Sequence, residues 1–255
     1  VFKSVCSAAT LPTARFVVIP PSLSSDDLKN SQNFRAVFGN FSGPFIVKPV
    51  SGRASKNVHF VDSNDELKAA VEDVREKTRH LCLVEEFLPG DEFAISIMGP
   101  LIRRNGKFHD LPQPFAFSAV QRCFESQERI FTSMDEKPIT HDRIRLLDST
   151  QESDIITRLE KLARNVFSCF TLSSLVRLDL RINGHGELML LEANPKPDLS
   201  QPTENIASIT CSGLAVQEMS YRDLIISIFA ERLIQLVTPR KLNSGLYRKL
   251  FGNMA

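Results

Sequence analysis

Arg177, Asp179, Glu192 and Asn194 stand on two apolar runs, 175-LVRLDLRI-182 and 187-ELMLLEAN-194, separated by the turn-forming 183-NGHG-186. With the turn at Asn183–Gly186, Ile182 faces Glu187, and antiparallel pairing sets Arg177 opposite Glu192 and Asp179 opposite Leu190. All four polar residues then project on one side of the hairpin. The other side carries Val176, Leu178, Leu180, Ile182, Met189, Leu191 and Ala193, an apolar face for a core. Two carboxylates and a carboxamide are oxygen ligands of the kind a hard cation such as Mg²⁺ takes. An arginine beside them could neutralise charge on a transferred phosphoryl group. Pro195 and Pro197 cannot donate to a ladder, so the strand stops where this chemistry would begin. The same alternation also describes a solvated ribbon face with an ordinary Arg177–Glu192 ion pair, and the hairpin alone leaves both readings open.

Three other segments bear on the choice. In 44-PFIVKPV-50 a lysine interrupts a β-branched apolar strand, where an unpaired ammonium is costly. The small polar loop after it, SGRAS, could fold backbone N–H groups over phosphates. In 84-VEEFLPGDEF-93 a strand ends in acids, turns at Pro89-Gly90 and meets a further Glu. Each also reads plainly, as a snorkelling lysine, a simple turn and a solvated strand end.

The elements that would carry these residues fall into two blocks. A short N-terminal helix precedes a strand at 15–19 and a polar helix from about Asp26; strands follow at 44–50 and 58–62. Ser63 with Glu66 reads as a capping box opening a helix whose buried face is Leu67, Ala70, Val71 and Val74. Strands at 82–87 and 93–98 flank the Pro-Gly turn, and residues 100–150 mix short strands with an ordered loop. A long amphipathic helix starts near Ser153, and a last helix at Ser220, with Asp223 three residues on, buries Leu224, Ile225, Ile228 and Leu233. This order predicts an α+β fold of two lobes, divided as 1–95 and 96–255. At 255 residues the chain can bury a sizeable core, and its net charge of +1 gives no reason to expect nucleic acid or an anionic membrane as partner. Five scattered cysteines without a C-x-x-C pair read as reduced thiols, and no apolar run is long enough for a membrane span. The opening VFKSVCSAA, without an initiator Met, reads as the interior of a longer chain.

Taken in order, FIVKP, LVEEFLPGDEF, VRLDLRINGHGELMLLEANPKP and MSYRDLI resemble the ATP-grasp superfamily, and within it the D-alanine–D-alanine ligase family. The resemblance covers essentially the whole chain. It implies an ATP-grasp fold with nucleotide between the lobes, ATP and Mg²⁺ (or Mn²⁺) as cofactors, and amino acids as substrates. By this resemblance Lys48 binds the nucleotide phosphates and Ser55 lies in the loop closing over them. Glu85, with the backbone of Phe87 and Leu88, reads adenine, and Glu92 holds the ribose hydroxyls. Asp179, Glu192 and Asn194 are the metal ligands, Arg177 meets the transferred phosphate, and Thr203 meets the second substrate's carboxylate. The reaction implied makes an acyl phosphate from one amino acid, which the amine of a second then displaces. A cytoplasmic location (or an organelle stroma), a role in peptidoglycan biosynthesis and assembly as a homodimer belong to the same resemblance.

Departures from the family pattern set further expectations. Asp198 stands where the family has a glycine that helps bind the intermediate, and 114-PFAFSAVQRCFESQERIFTS-133 lacks the expected substrate-covering loop. The family's N-terminal domain and its first nucleotide-binding lysine have no counterpart here. The resemblance therefore leads to weak Mg-ATP binding, without peptide synthesis, by these 255 residues alone. Two alternatives stay open: a related ligase for other amino acids or a natural-product acid, and a nucleotide-binding module without turnover.

Overall fold

A computed structural model describes residues 2–52, 55–131 and 138–237. Its first sheet is antiparallel and contains β1 (Phe16–Ile19), β2 (Phe45–Pro49), β3 (His59–Val61) and β4 (Cys82–Glu86), ordered β1-β4-β2-β3. Period-two alternation divides its faces. Val17, Ile19, Phe45, Val47 and Val84 pack under α2 (Gln32–Phe38) and α3 (Leu67–Thr78), which contribute Phe34, Phe38, Leu67, Val71 and Val74. The alternate residues Phe16, Val18, Ile46, Lys48, Leu83 and Glu85 line a cleft on the opposite face.

The second sheet contains β5 (Glu92–Met98), β8 (Phe115–Arg122), β9 (Ile144–Leu146), β10 (Val176–Ile182) and β11 (Leu188–Asn194), ordered β11-β10-β5-β8-β9. Here α4 (Ser153–Cys169) lays Leu159, Leu162, Ala163 and Val166 on Ile95, Ile97, Leu178 and Leu180. A hairpin of β6 (Leu101–Arg104) and β7 (Lys107–Asp110) docks against α5 (Tyr221–Val237). The short α1 (Phe2–Ala8) also belongs to this body: Phe2 stacks on Phe170 with ring centroids 5.1 Å apart, and Cys6 is buried in the same core. The division expected at residue 95 cuts through β5, a strand of the second sheet; by hydrogen bonding the sheets part at the turn 87–91. Gly90 sits at that turn because a Cβ there would lie 2.7 Å from the Ile182 Cβ. Among the described residues no helix is long and apolar enough to cross a membrane.

Two helix starts that look alike in sequence behave differently. At α5 the box closes: the Ser220 amide donates to Asp223 Oδ2 at 3.1 Å, and the Asp223 amide to Ser220 Oγ at 3.1 Å. At α3 it does not. The helix begins after Glu66, whose carboxylate accepts instead from the Asp62 amide at 3.3 Å. The helix expected from Asp26 is a single 3₁₀ turn at Leu28–Asn30, followed by α2, whose N-terminus is capped by the Ser31 hydroxyl. Leu224 is fully buried on α5, whereas Leu233 is 39% exposed and not part of the core.

Candidate functional site

The polar side of the β10–β11 hairpin exists because of a bulge. Ile182, Arg181 and Leu180 pair with Leu188, Met189 and Leu190, but Asp179, Leu178 and Arg177 pair with Glu192, Ala193 and Asn194. Leu191 is the extra residue. The expected register, with Arg177 opposite Glu192, is therefore corrected by the bulge, and so is the expected apolar face. Leu188 and Leu190 enter the core, while Met189 is only half-buried and Leu191 lines the cleft. Uninterrupted alternation after Leu188 and Leu190 would drive Glu192 into that core, at a heavy desolvation cost. The extra residue turns it to the other side, beside Asp179 and Asn194.

Across the cleft, at the cleft-facing side of the first sheet, lies Glu85, 2% exposed. Its Oε1 is 2.5 Å from Lys48 Nζ and its Oε2 is 2.7 Å from Lys3 Nζ. Burial alone would raise the Glu85 carboxyl, but the two ammonium groups outweigh it and hold it at about 2. Lys48 is raised despite its burial, chiefly by Glu85, with Glu192 and Glu92 adding to the effect.

The second wall is built from guanidinium groups. Arg177 Nε and Nη2 donate to Asp179 Oδ1 and Oδ2 at 2.8 and 3.0 Å, and Arg122 Nη2 lies 2.9 Å from Oδ2. Arg122 also pairs with Glu92 Oε1, whose other oxygen is 3.3 Å from Arg181 Nη1. Asp179 is buried, which by itself would raise its carboxyl; Arg122 and Arg177 hold it well below the ordinary range instead. Glu192 is open to the cleft, yet removal from bulk water between the cleft walls pushes its carboxyl up, and Asp179 pushes it further. Asn194 Nδ2 donates to both acids, to Asp179 Oδ2 and Glu192 Oε1 at 3.1 Å each. Two close carboxylates bridged by one amide, with one of them short of positive charge, fit a hard divalent cation.

These groups line one cleft of about 550 Å³ between the sheets, together with Phe87, Leu88, Glu92 and Ser55. Of the residues expected from sequence, Lys48, Ser55, Glu85, Phe87, Leu88, Glu92, Arg177, Asp179, Glu192 and Asn194 all come together there. Thr203 does not line it: its hydroxyl accepts from the Ile206 amide at 3.2 Å and the residue is exposed. The Phe87 amide donates to the Pro44 carbonyl at 3.0 Å, so Phe87 offers a ligand its carbonyl rather than its N–H. Ser55 Oγ donates across the cleft to the Phe131 carbonyl at 3.1 Å; its neighbours Arg53 and Ala54 lie outside the described residues. Asp198 also lines the cleft, with Oδ1 accepting from the Ser200 amide and hydroxyl at 3.1 and 2.7 Å.

Sequence reasoning missed Lys3, Arg122 and Arg181. Arg122 ends β8, inside the stretch 114–133 noted only for a loop it lacks; residues 132–137 of that stretch lie outside the described residues. Its signal was the one that marked Lys48, a cation at the end of an apolar strand. Arg181 continues the alternation of Arg177 and Asp179, and its guanidinium sits 4.7 Å from the Phe87 ring centroid and 4.9 Å from that of Phe124.

A family model described as D-ala D-ala ligase C-terminus matches residues 5–229. The D-alanine--D-alanine ligase of Idiomarina loihiensis is 25% identical over 235 residues, covering 91% of this chain and 66% of that protein. The vancomycin/teicoplanin A-type resistance protein VanA of Enterococcus faecium is 21% identical over 194 residues, covering 76% of this chain and 54% of that protein. Among solved structures, the D-alanine--D-alanine ligase from Bacillus anthracis complexed with ATP superimposes with a TM-score of 0.62 at 18% identity, over 91% of this chain and 63% of that one. The chain thus spans less than about two thirds of the length of each of these relatives.

Proposed function

The chain belongs to the D-ala D-ala ligase C-terminus family and has the ATP-grasp fold, and from that premise we propose that it carries the nucleotide and metal chemistry of an ATP-dependent carboxylate–amine ligase, with D-alanine as both substrates. The observation that carries this reading is the meeting of Lys48, Arg122 and Arg177 with Asp179, Glu192 and Asn194 in one cleft. Cations for phosphate oxygens and oxygen ligands for a divalent ion are what phosphoryl transfer to a carboxylate requires.

Asp179, Glu192 and Asn194 would hold Mg²⁺, which when bound neutralises charge on the phosphate oxygens. Lys48 and Arg122 bind the phosphates, and Arg177 meets the phosphoryl group as it moves to the substrate carboxylate. Each is held against a carboxylate in the structure and so is pre-positioned at the cleft wall. Phe87 and Leu88 flank the base. Glu92, between Arg122 and Arg181, receives the ribose hydroxyls. The overall step forms a carboxyl–phosphate bond and releases ADP; the amine of the second amino acid then attacks the acyl carbon, phosphate leaves, and one amine proton is lost to solvent. Positioning and electrostatics, not a covalent enzyme intermediate, supply the catalysis.

Phosphate release and mass-spectrometric detection of dipeptide, with a panel of amino acids and the natural full-length protein, test this reading. D-Alanyl-D-alanine formed in step with ADP is the expected result, and no dipeptide from any pair counts against it. Asp198 favours a second reading, a different amino-acid pair, because it adds a carboxylate to the cleft; the same panel separates the two.

A further inference from the structure

Glu85 is a single buried carboxylate shared by two ammonium groups, and the two differ in their freedom. Lys3 Nζ is surrounded by three oxygens: Glu85 Oε2 at 2.7 Å, Thr13 Oγ1 at 3.1 Å and the Leu190 carbonyl at 3.4 Å. The last belongs to β11, two residues before Glu192, and Thr13 Oγ1 donates to the same carbonyl at 3.0 Å. Lys3 is therefore anchored to both sheets. Its side chain is 7% exposed, against 20% for Lys48, although both residues line the cleft.

A phosphate group entering the cleft competes with Glu85 for Lys48. If Glu85 had Lys48 alone, moving that ammonium to the phosphate would strand a buried, unpaired carboxylate, a state that opposes binding. With Lys3 fixed on the other oxygen, Glu85 stays neutralised while Lys48 turns. We propose that Lys3 is a positioning residue that keeps Glu85 compensated and thereby releases Lys48 to bind phosphate. The inference rests on the nucleotide-binding reading above, and it assigns Lys3 no contact with the ligand. Its buried ammonium would otherwise be an expense: burial pushes Lys3 below the usual lysine range even with Glu85 beside it.

Calorimetric titration of ATP and of adenosine, with Mg²⁺ present, reads the effect. Lys3→Met should weaken ATP binding roughly 10- to 100-fold, the scale of an uncompensated charge, and change adenosine binding by less than about 3-fold. Lys3→Arg should restore most of the ATP affinity. In the Glu85→Gln background there is no carboxylate to compensate, so adding Lys3→Met should leave ATP binding unchanged. That double variant also removes both charges together, and its comparison with Glu85→Gln alone stands even if Lys3→Met does not fold. Equal losses for ATP and adenosine would make Lys3 merely structural and overturn the inference. So would unchanged ATP affinity in Lys3→Met, or a further loss in the double variant. A wild-type protein that binds no ATP would overturn the nucleotide reading and this inference together, and only that result reaches both.

Discussion

On the first sheet Glu85 lies between two ammonium groups; on the second, Asp179 lies between two guanidinium groups. Both acids are 2% exposed and both are held ionised by the cations around them. The cations differ in kind. An arginine fork locks two oxygens at once, as Arg177 does on Asp179, whereas an ammonium is a point charge on a flexible stem. The arginine cluster thus fixes geometry beside Glu192 and Asn194. The lysine cluster leaves one cation, Lys48, able to turn. A phosphate ligand needs both: a rigid wall to align on and a mobile charge to close on it.

Removing an acid should show the difference most strongly on the arginine side. Asp179→Asn leaves Arg122 and Arg177 without a shared anion, and is expected to cost about 3–5 kcal/mol, a fall in Tm on the order of 10 °C. An unchanged Tm by scanning calorimetry would break the comparison there.

Next in size is the lysine side, read through pH. The folded Glu85 carboxyl lies at about 2 against an ordinary 4.5, because Lys3 and Lys48 outweigh its burial. A depressed carboxyl contributes stability that is fully present above the unfolded value and lost as pH falls through the folded one. The contribution, a few kcal/mol on the order of the shift, should therefore fade between pH 4.5 and 2. Denaturant titrations across that window should give a shallower acid loss in Glu85→Gln than in wild type; parallel curves would contradict the assignment.

The smallest stability effect belongs to Lys48. Lys3 remains on Glu85 after Lys48→Met, so the loss should be about 1–2 kcal/mol, near that of one charge-assisted hydrogen bond. ATP affinity should nevertheless fall by at least about 10-fold. A large drop in Tm with unchanged nucleotide affinity would make Lys48 structural and erase the contrast with the arginine wall.

Much of this cleft was legible in the sequence because its residues interrupt strong patterns. Lys48 breaks a β-branched strand, and Asp179, Glu192 and Asn194 interrupt apolar runs, so their strands were legible; period two alone would have sent Glu192 to the side of Leu188 and Leu190, and the bulge is what brings it beside Asp179. The bulge at Leu191 did not follow, since its cause is the tertiary cost of burying Glu192, which local alternation does not contain. Lys3 and Arg122 were missed for a related reason: their carboxylate partners, Glu85 for one and Glu92 and Asp179 for the other, are distant in sequence, and no local spacing links them. Ser63–Glu66 and Ser220–Asp223 show the same limit. Both spell a cap, but Glu66 is drawn to the Asp62 amide while Asp223 stays on Ser220. Thr203 was placed by resemblance alone, and the loop that carries it turns its hydroxyl to Ile206.

The most direct test of the cleft as one Mg-nucleotide site is ATP titration by calorimetry, with Mg²⁺ and then with EDTA, in wild type and in Glu192→Gln. Glu192 is not part of the buried core, so the variant should fold with a Tm within about 2 °C of wild type. Wild type should bind ATP at least about 10-fold more tightly with Mg²⁺ than without, and Glu192→Gln should abolish that difference. Equal Mg²⁺ dependence in the two proteins, or no ATP binding by wild type, would contradict it.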